Sequence, residues 1–132
     1  MGTNKAAYQQ YMKSKILTAS PAELTLLLYD GFIKFCNIAI NSIKKEDYYE
    51  ANKNIQKAER IIGELKITLN HKYPVAENSD NIYDYVLKRL HDGNIHKNVE
   101  PIKECITHLR ALRETWKQVM EKTKEKIIKE KK

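Results

Sequence analysis

Glycine, proline, phenylalanine and cysteine are scarce in these 132 residues, at four, three, two and two. So little glycine and proline argues against a disordered chain and against an all-β fold, which needs tight turns every few residues. Two cysteines, Cys36 and Cys105, both set among apolar residues, make no disulfide framework; they read as buried thiols in a reducing compartment. No apolar run follows a basic N-terminal stretch, so no secretory leader is expected. No run reaches the roughly 18 apolar residues of a membrane span either, so no membrane insertion is expected. The expected compartment is the cytosol.

Catalytic patterns are missing as well. No Cys-x-x-Cys occurs, and no two of His71, His91, His96 and His108 stand four apart on one helix. Glu104 and His108 are the nearest approach to a metal-binding pair, without the Glu-x-x-His repeats of a di-metal bundle. All four glycines stand alone, so no phosphate-cradling loop exists. Nothing assembles an acid, a base and an oxyanion site. The expectation is a non-enzyme with no cofactor and no metal.

Charge narrows the partners. Of the net +7, residues 117–132 supply +4, with seven lysines against three glutamates, which leaves about +3 for the rest of the chain. The lysine-rich end lacks the interleaved aromatics of a single-strand platform, and no helix-turn-helix signal is present. No specific nucleic-acid partner is expected.

What the chain does have is helical periodicity. It is 42% hydrophobic and 31% charged, enough for one core in a domain of this size. Ser20, Pro21 and Glu23 form an N-cap, a first helical position and a capping box, opening a helix over about 21–44. Asp47 and Glu50 start a second, whose Tyr48, Ala51, Ile55, Ala58, Ile62, Leu65 and Leu69 repeat at alternating spacings of three and four. A loop containing Pro74 ends it. A third helix is expected from near Ser79 to Gly93-Asn94, where a left-handed residue would close it, and a fourth from near Asn98 through Trp116 and Val119. Residues 4–17 carry Tyr8, Tyr11, Met12, Ile16 and Leu17 and predict a marginal helix around 5–14 that docks. The fold class is therefore all-α, an antiparallel four-helix bundle with a short N-terminal helical segment packed across it. The expected divisions are a docking segment at 1–17, the bundle at 18–120 and a lysine-rich tail at 121–132.

The first long helix is too apolar for its place. Its polar residues, Asp30, Lys34, Asn37 and Asn41, form one narrow stripe. The remaining apolar arc spans roughly 260°, whereas a surface helix needs little more than 100°. Two apolar stripes are distinguishable: Leu24, Leu28, Gly31, Phe35, Ile38; and Leu26, Tyr29, Ile33, Cys36, Ile40, Ile43. Bundle packing accounts for one, and spacing alone leaves open which. The other calls for further cover. Eight tyrosines against two phenylalanines also suit an interface, since tyrosine gives broad contact with a polar handle.

Several blocks, in order, resemble the flagellin-specific export chaperones of the FliS family: Ala7-Tyr8, Thr18–Leu24, Leu28–Gly31, Lys57–Leu65 with Leu69-Asn70, Ile82–Tyr85 with Arg89-Leu90 and Asn94, and Trp116. Gly93 and Asn98 depart from the family's usual alanine and aspartate, and the lysine-rich end lies outside its signature. The resemblance implies a cytosolic chaperone that binds the disordered C-terminal segment of flagellin, prevents premature polymerisation and aids export. The flagellar export apparatus and flagellar regulatory proteins are further candidate partners. The residues expected to meet the client are Tyr8, then Leu24, Leu27, Leu28 and Tyr29, and Ile61. The rival reading is a bundle that self-associates through its surplus face and has no flagellin client.

Overall fold

A computed structural model describes residues 2–131, with side chains over 5–130; Met1 and Lys132, the outer ends of the two expected terminal segments, lie outside the described residues. The chain forms five helices: α1 (Gly2–Thr18), α2 (Pro21–Lys44), α3 (Tyr48–Ile67), α4 (Val75–His96) and α5 (Val99–Lys131). Extensive packing joins α2 to α3 and α5, and α4 to α3 and α5, so each of the four long helices touches two others.

The helix starts follow their caps. The Ser20 hydroxyl accepts from the Glu23 amide at 3.2 Å, and the Asp47 carboxylate accepts from the Glu50 amide at the same distance. Both capping boxes are only half made, since neither glutamate side chain accepts from the cap residue's amide. Glu50 accepts from the Asn54 side chain, and the Asp47 amide donates to the Ser42 carbonyl at 2.8 Å. Asn98 caps α5 by accepting from the Glu100 amide at 3.1 Å.

Several expected boundaries move. α1 fills 17 residues rather than the ten or so around 5–14. α4 begins at Val75, not near Ser79, because the Ser79 hydroxyl is needed inside the helix. It donates to the Val75 carbonyl and accepts the Trp116 indole N–H, both at 2.9 Å. The same helix runs through Gly93-Asn94 to His96, and the left-handed residue is Lys97, at φ 49°. Gly93 lies inside the helix because a Cβ there would stand 2.9 Å from Ile102 Cγ1 and 3.2 Å from the Asn98 carbonyl. Its missing side chain lets the chain return closely into α5.

The core is one apolar cluster drawn from α2 to α5. Tyr29, Phe32, Cys36, Ile55, Ile62, Tyr83, Leu90, Ile102 and Leu109 are almost wholly buried. Among the described residues, α2 alone is long and apolar enough by length and composition to cross a membrane, contrary to the expectation of no such segment. A buried core helix meets the same test, and α2 packs on both α3 and α5. Arg113 on α5 also grips the Asp30 carboxylate of α2 with two hydrogen bonds, at 2.8 and 3.3 Å.

Candidate functional site

Packing separates the two stripes of α2. Tyr29, Cys36, Ile40 and Ile43, with Phe32 and Ala39, are buried, so the stripe beginning at Leu26 faces the core. The stripe beginning at Leu24 points away. Leu24 and Ile38 are exposed, while Leu28 and Phe35 are half-buried against the margin of the core. The polar stripe of Asp30, Lys34, Asn37 and Asn41 is exposed throughout.

α1 folds back along this outer face. A groove of about 840 Å³ lies between Tyr8, Met12, Ile16 and Leu17 of α1 and Leu27, Gly31 and Phe35 of α2. Lys34 crosses it, with its ammonium 5.9 Å from the Tyr8 ring and 5.7 Å from that of Phe35. Lys57 approaches the Phe35 ring from α3 at 5.2 Å. The helix covers its neighbour loosely, since Tyr8, Tyr11, Ile16 and Leu17 remain 48 to 75% exposed.

Of the residues expected to meet a partner, the structure brings Tyr8 and Leu27 together in this groove. Leu24 is exposed one turn before Leu27 and Leu28, and Leu28 is half-buried. Ile61 on α3 is half-buried where α2 and α3 meet, its Cδ1 3.2 Å from where a Cβ on Gly31 would stand. Tyr29 is in the core. Its side chain is fully buried and its hydroxyl pairs with that of Tyr83, so it is not among the side chains that line the α1–α2 groove. Burial is the first cause that pushes both phenols above their ordinary range, so they stay neutral, with one hydroxyl donating and the other accepting.

Met12, Ile16 and Leu17, named in the sequence as docking side chains, and Lys34 and Phe35 also line the groove, though none was expected to meet the partner. Phe35 stood on the outward stripe, and the three α1 residues recur at spacings of four and one, a signal too short to orient a helix alone.

Among the described residues no acid–base centre accompanies the groove. Burial pushes the Cys36 thiol up, and that of Cys105 up to about 12, so neither is a ready nucleophile. Glu104 is engaged by Tyr85, Arg89 and His108, with the Arg89 Nε at 3.0 Å and the His108 Nε2 at 3.6 Å. Among the described residues no group of three or more His, Cys, Asp or Glu side chains could hold a metal ion.

The family model described as Flagellar protein FliS matches residues 4–123, nearly all of the helical chain. The chain belongs to the FliS family. It is 35% identical over 114 residues to the flagellar secretion chaperone FliS of Bacillus subtilis, covering 86% of each chain. It is 30% identical over 121 residues to that of Salmonella typhimurium, covering 89% of this chain and 90% of the other. It is 29% identical over 118 residues to that of Campylobacter jejuni, covering 88% and 92%. FliS membership places the chain among flagellar secretion chaperones, not enzymes. The family match takes in α1 and the groove but stops at Thr123, eight residues before α5 ends.

Proposed function

We propose that this FliS-family chaperone works in the cytosol, binds the disordered C-terminal segment of flagellin, prevents its premature polymerisation and aids its export. The observation that carries the reading is the outward apolar stripe of α2, left to a loosely seated α1 rather than to the bundle. The scaffold is read as an antiparallel four-helix bundle, α2 to α5, with α1 packed across it. The pairwise packing of those helices and the Asp30–Arg113 clamp support that arrangement.

The mechanism needs no bond-making. A client segment folds on binding and lays its apolar side chains where α1 now lies, as amphipathic helices do in hydrophobic grooves. Ordering it costs several kcal/mol, so a long contact is required. Leu24, Leu27, Leu28 and Ile61 are the residues of this surface, with Phe35 added, and Tyr8 covers it until the client displaces α1. Tyr29 supports it from beneath. Because the client's occupied surface is the one that polymerises, binding alone blocks assembly, and delivery requires only release to the export apparatus. Flagellar regulatory proteins remain candidate partners for the same chaperone.

The test is flagellin polymerisation followed by light scattering with increasing amounts of this protein. The reading predicts suppression that saturates near equimolar protein, and a shifted dose with Tyr8→Ala at unchanged thermal stability. Polymerisation unaffected by excess protein would overturn it. Equal loss of client binding and stability in Tyr8→Ala would overturn the displacement of α1.

A further inference from the structure

The far end of α5 builds a second surface. Beyond Met120 the helix outruns the body of the molecule, and of residues 121–130 only Thr123 is not exposed. Ile127 and Ile128 are nearly half exposed and line a cleft. That cleft, about 600 Å³, lies between the first two turns of α2 (Ala22, Glu23, Leu26) and the α5 overhang (Met120, Lys124, Ile127). It continues inward. Ala22, Tyr73 and Met120 also line an adjoining cavity of about 220 Å³, floored by Tyr29, Tyr83 and Trp116. A hydrogen bond of 3.2 Å between the hydroxyls of Tyr73 and Thr123 fixes the loop wall against α5.

Charge decides what fits. Inside the cleft Lys117 and Lys124 are matched by Glu23 and Glu121. The surplus lies around it, in the five further lysines against two further glutamates of residues 117–132. Among the described residues none of the lysines from 117 to 130 forms an ion pair. The positive end of the α2 dipole points the same way. A second copy of so basic a surface would be repelled, and a flat lipid surface does not enter a concave cleft.

We propose that the cleft between the α2 N-terminus and the α5 overhang binds an acidic amphipathic helix of a partner protein. The partner's apolar side chains enter between Leu26, Met120 and Ile127, and one of them anchors in the adjoining cavity. Its carboxylates meet the lysines of the overhang. The surface is separate from the α1–α2 groove, extends past the residues shared with the family, and does not depend on flagellin being the client.

The probe is a synthetic helical peptide of about two heptads, with leucine at the seam positions and glutamate elsewhere. Its control carries lysine for every glutamate. Fluorescence anisotropy with the full chain should show the acidic peptide bound at least about tenfold more tightly than the control. Raising salt from about 0.05 to about 0.5 M should weaken it at least about fivefold. Ile127→Asp, and Lys117→Glu with Lys124→Glu, should each weaken it by about fivefold or more at unchanged thermal midpoint, whereas arginine at both lysine positions should not. Equal binding of the two peptides, or none, overturns the proposal. So does sedimentation showing a dimer that Ile127→Asp dissociates, or displacement of the acidic peptide by phosphatidylserine vesicles.

Discussion

Gly63 and Gly93 both lie inside helices, yet they call for opposite predictions. Nothing stands within 4 Å of a Cβ added at Gly63, so Gly63→Ala should stabilise the protein by about 0.5–1 kcal/mol in chemical denaturation through helix propensity. At Gly93 the added carbon meets the Asn98 backbone and Ile102, so Gly93→Ala should cost about 1–3 kcal/mol despite the same propensity gain. In the sequence Gly93 reads as a helix stop, because the turn that brings α5 against it leaves no local signature. Tyr29 is a second case: its stripe was legible but its direction was not, since the burial and the Tyr83 hydroxyl that show the ring turning inward come from other helices. Tyr83→Phe should cost about 1–3 kcal/mol by stranding the Tyr29 hydroxyl, and adding Tyr29→Phe should cost less than the sum, as a double-mutant cycle would read. Glu104 sets an acid limit. The Tyr85 hydroxyl first, then Arg89 and His108, hold its carboxyl below the ordinary 4.5. A depressed folded value contributes stability above the unfolded value and loses it as pH falls through the folded one. The thermal midpoint of the native protein should therefore fall toward that of Glu104→Gln as pH drops below about 4.5, and equal differences at all pH values would contradict this.

Individual elements were legible where side chains cap or repeat locally. Ser20 and Asp47 mark the starts of α2 and α3, and the seam from Ala51 to Leu65 is the buried face of α3. The start of α4 was not legible, because Pro74 supplies no side-chain cap and Ser79 serves a tryptophan 37 residues away. α1 is the most weakly held helix. Among the described residues it contributes nothing to the buried core, so removing residues 2–18 should change unfolding free energy by less than about 1 kcal/mol. The same deletion should raise client affinity if α1 occupies the client's place. Calorimetric titration of the deleted and full chains separates that from a client that needs α1 as part of its site.

For the whole molecule, one surplus of apolar surface links sequence to function. The wide arc of α2 could be read from Asp30, Lys34, Asn37 and Asn41 alone, and the packing divides it into a core half and an outward half. The grooves at the two ends of that surplus depend on how α1 and α5 fold against α2, which periodicity within one helix does not encode. The most direct measurement is calorimetric titration of this protein with the C-terminal segment of flagellin from the same organism, at several temperatures. The account predicts saturable binding near one-to-one with a large negative heat-capacity change, the mark of apolar burial with coupled folding. No heat at concentrations in the tens of micromolar, roughly where an interaction of −6 to −7 kcal/mol would register, would contradict it.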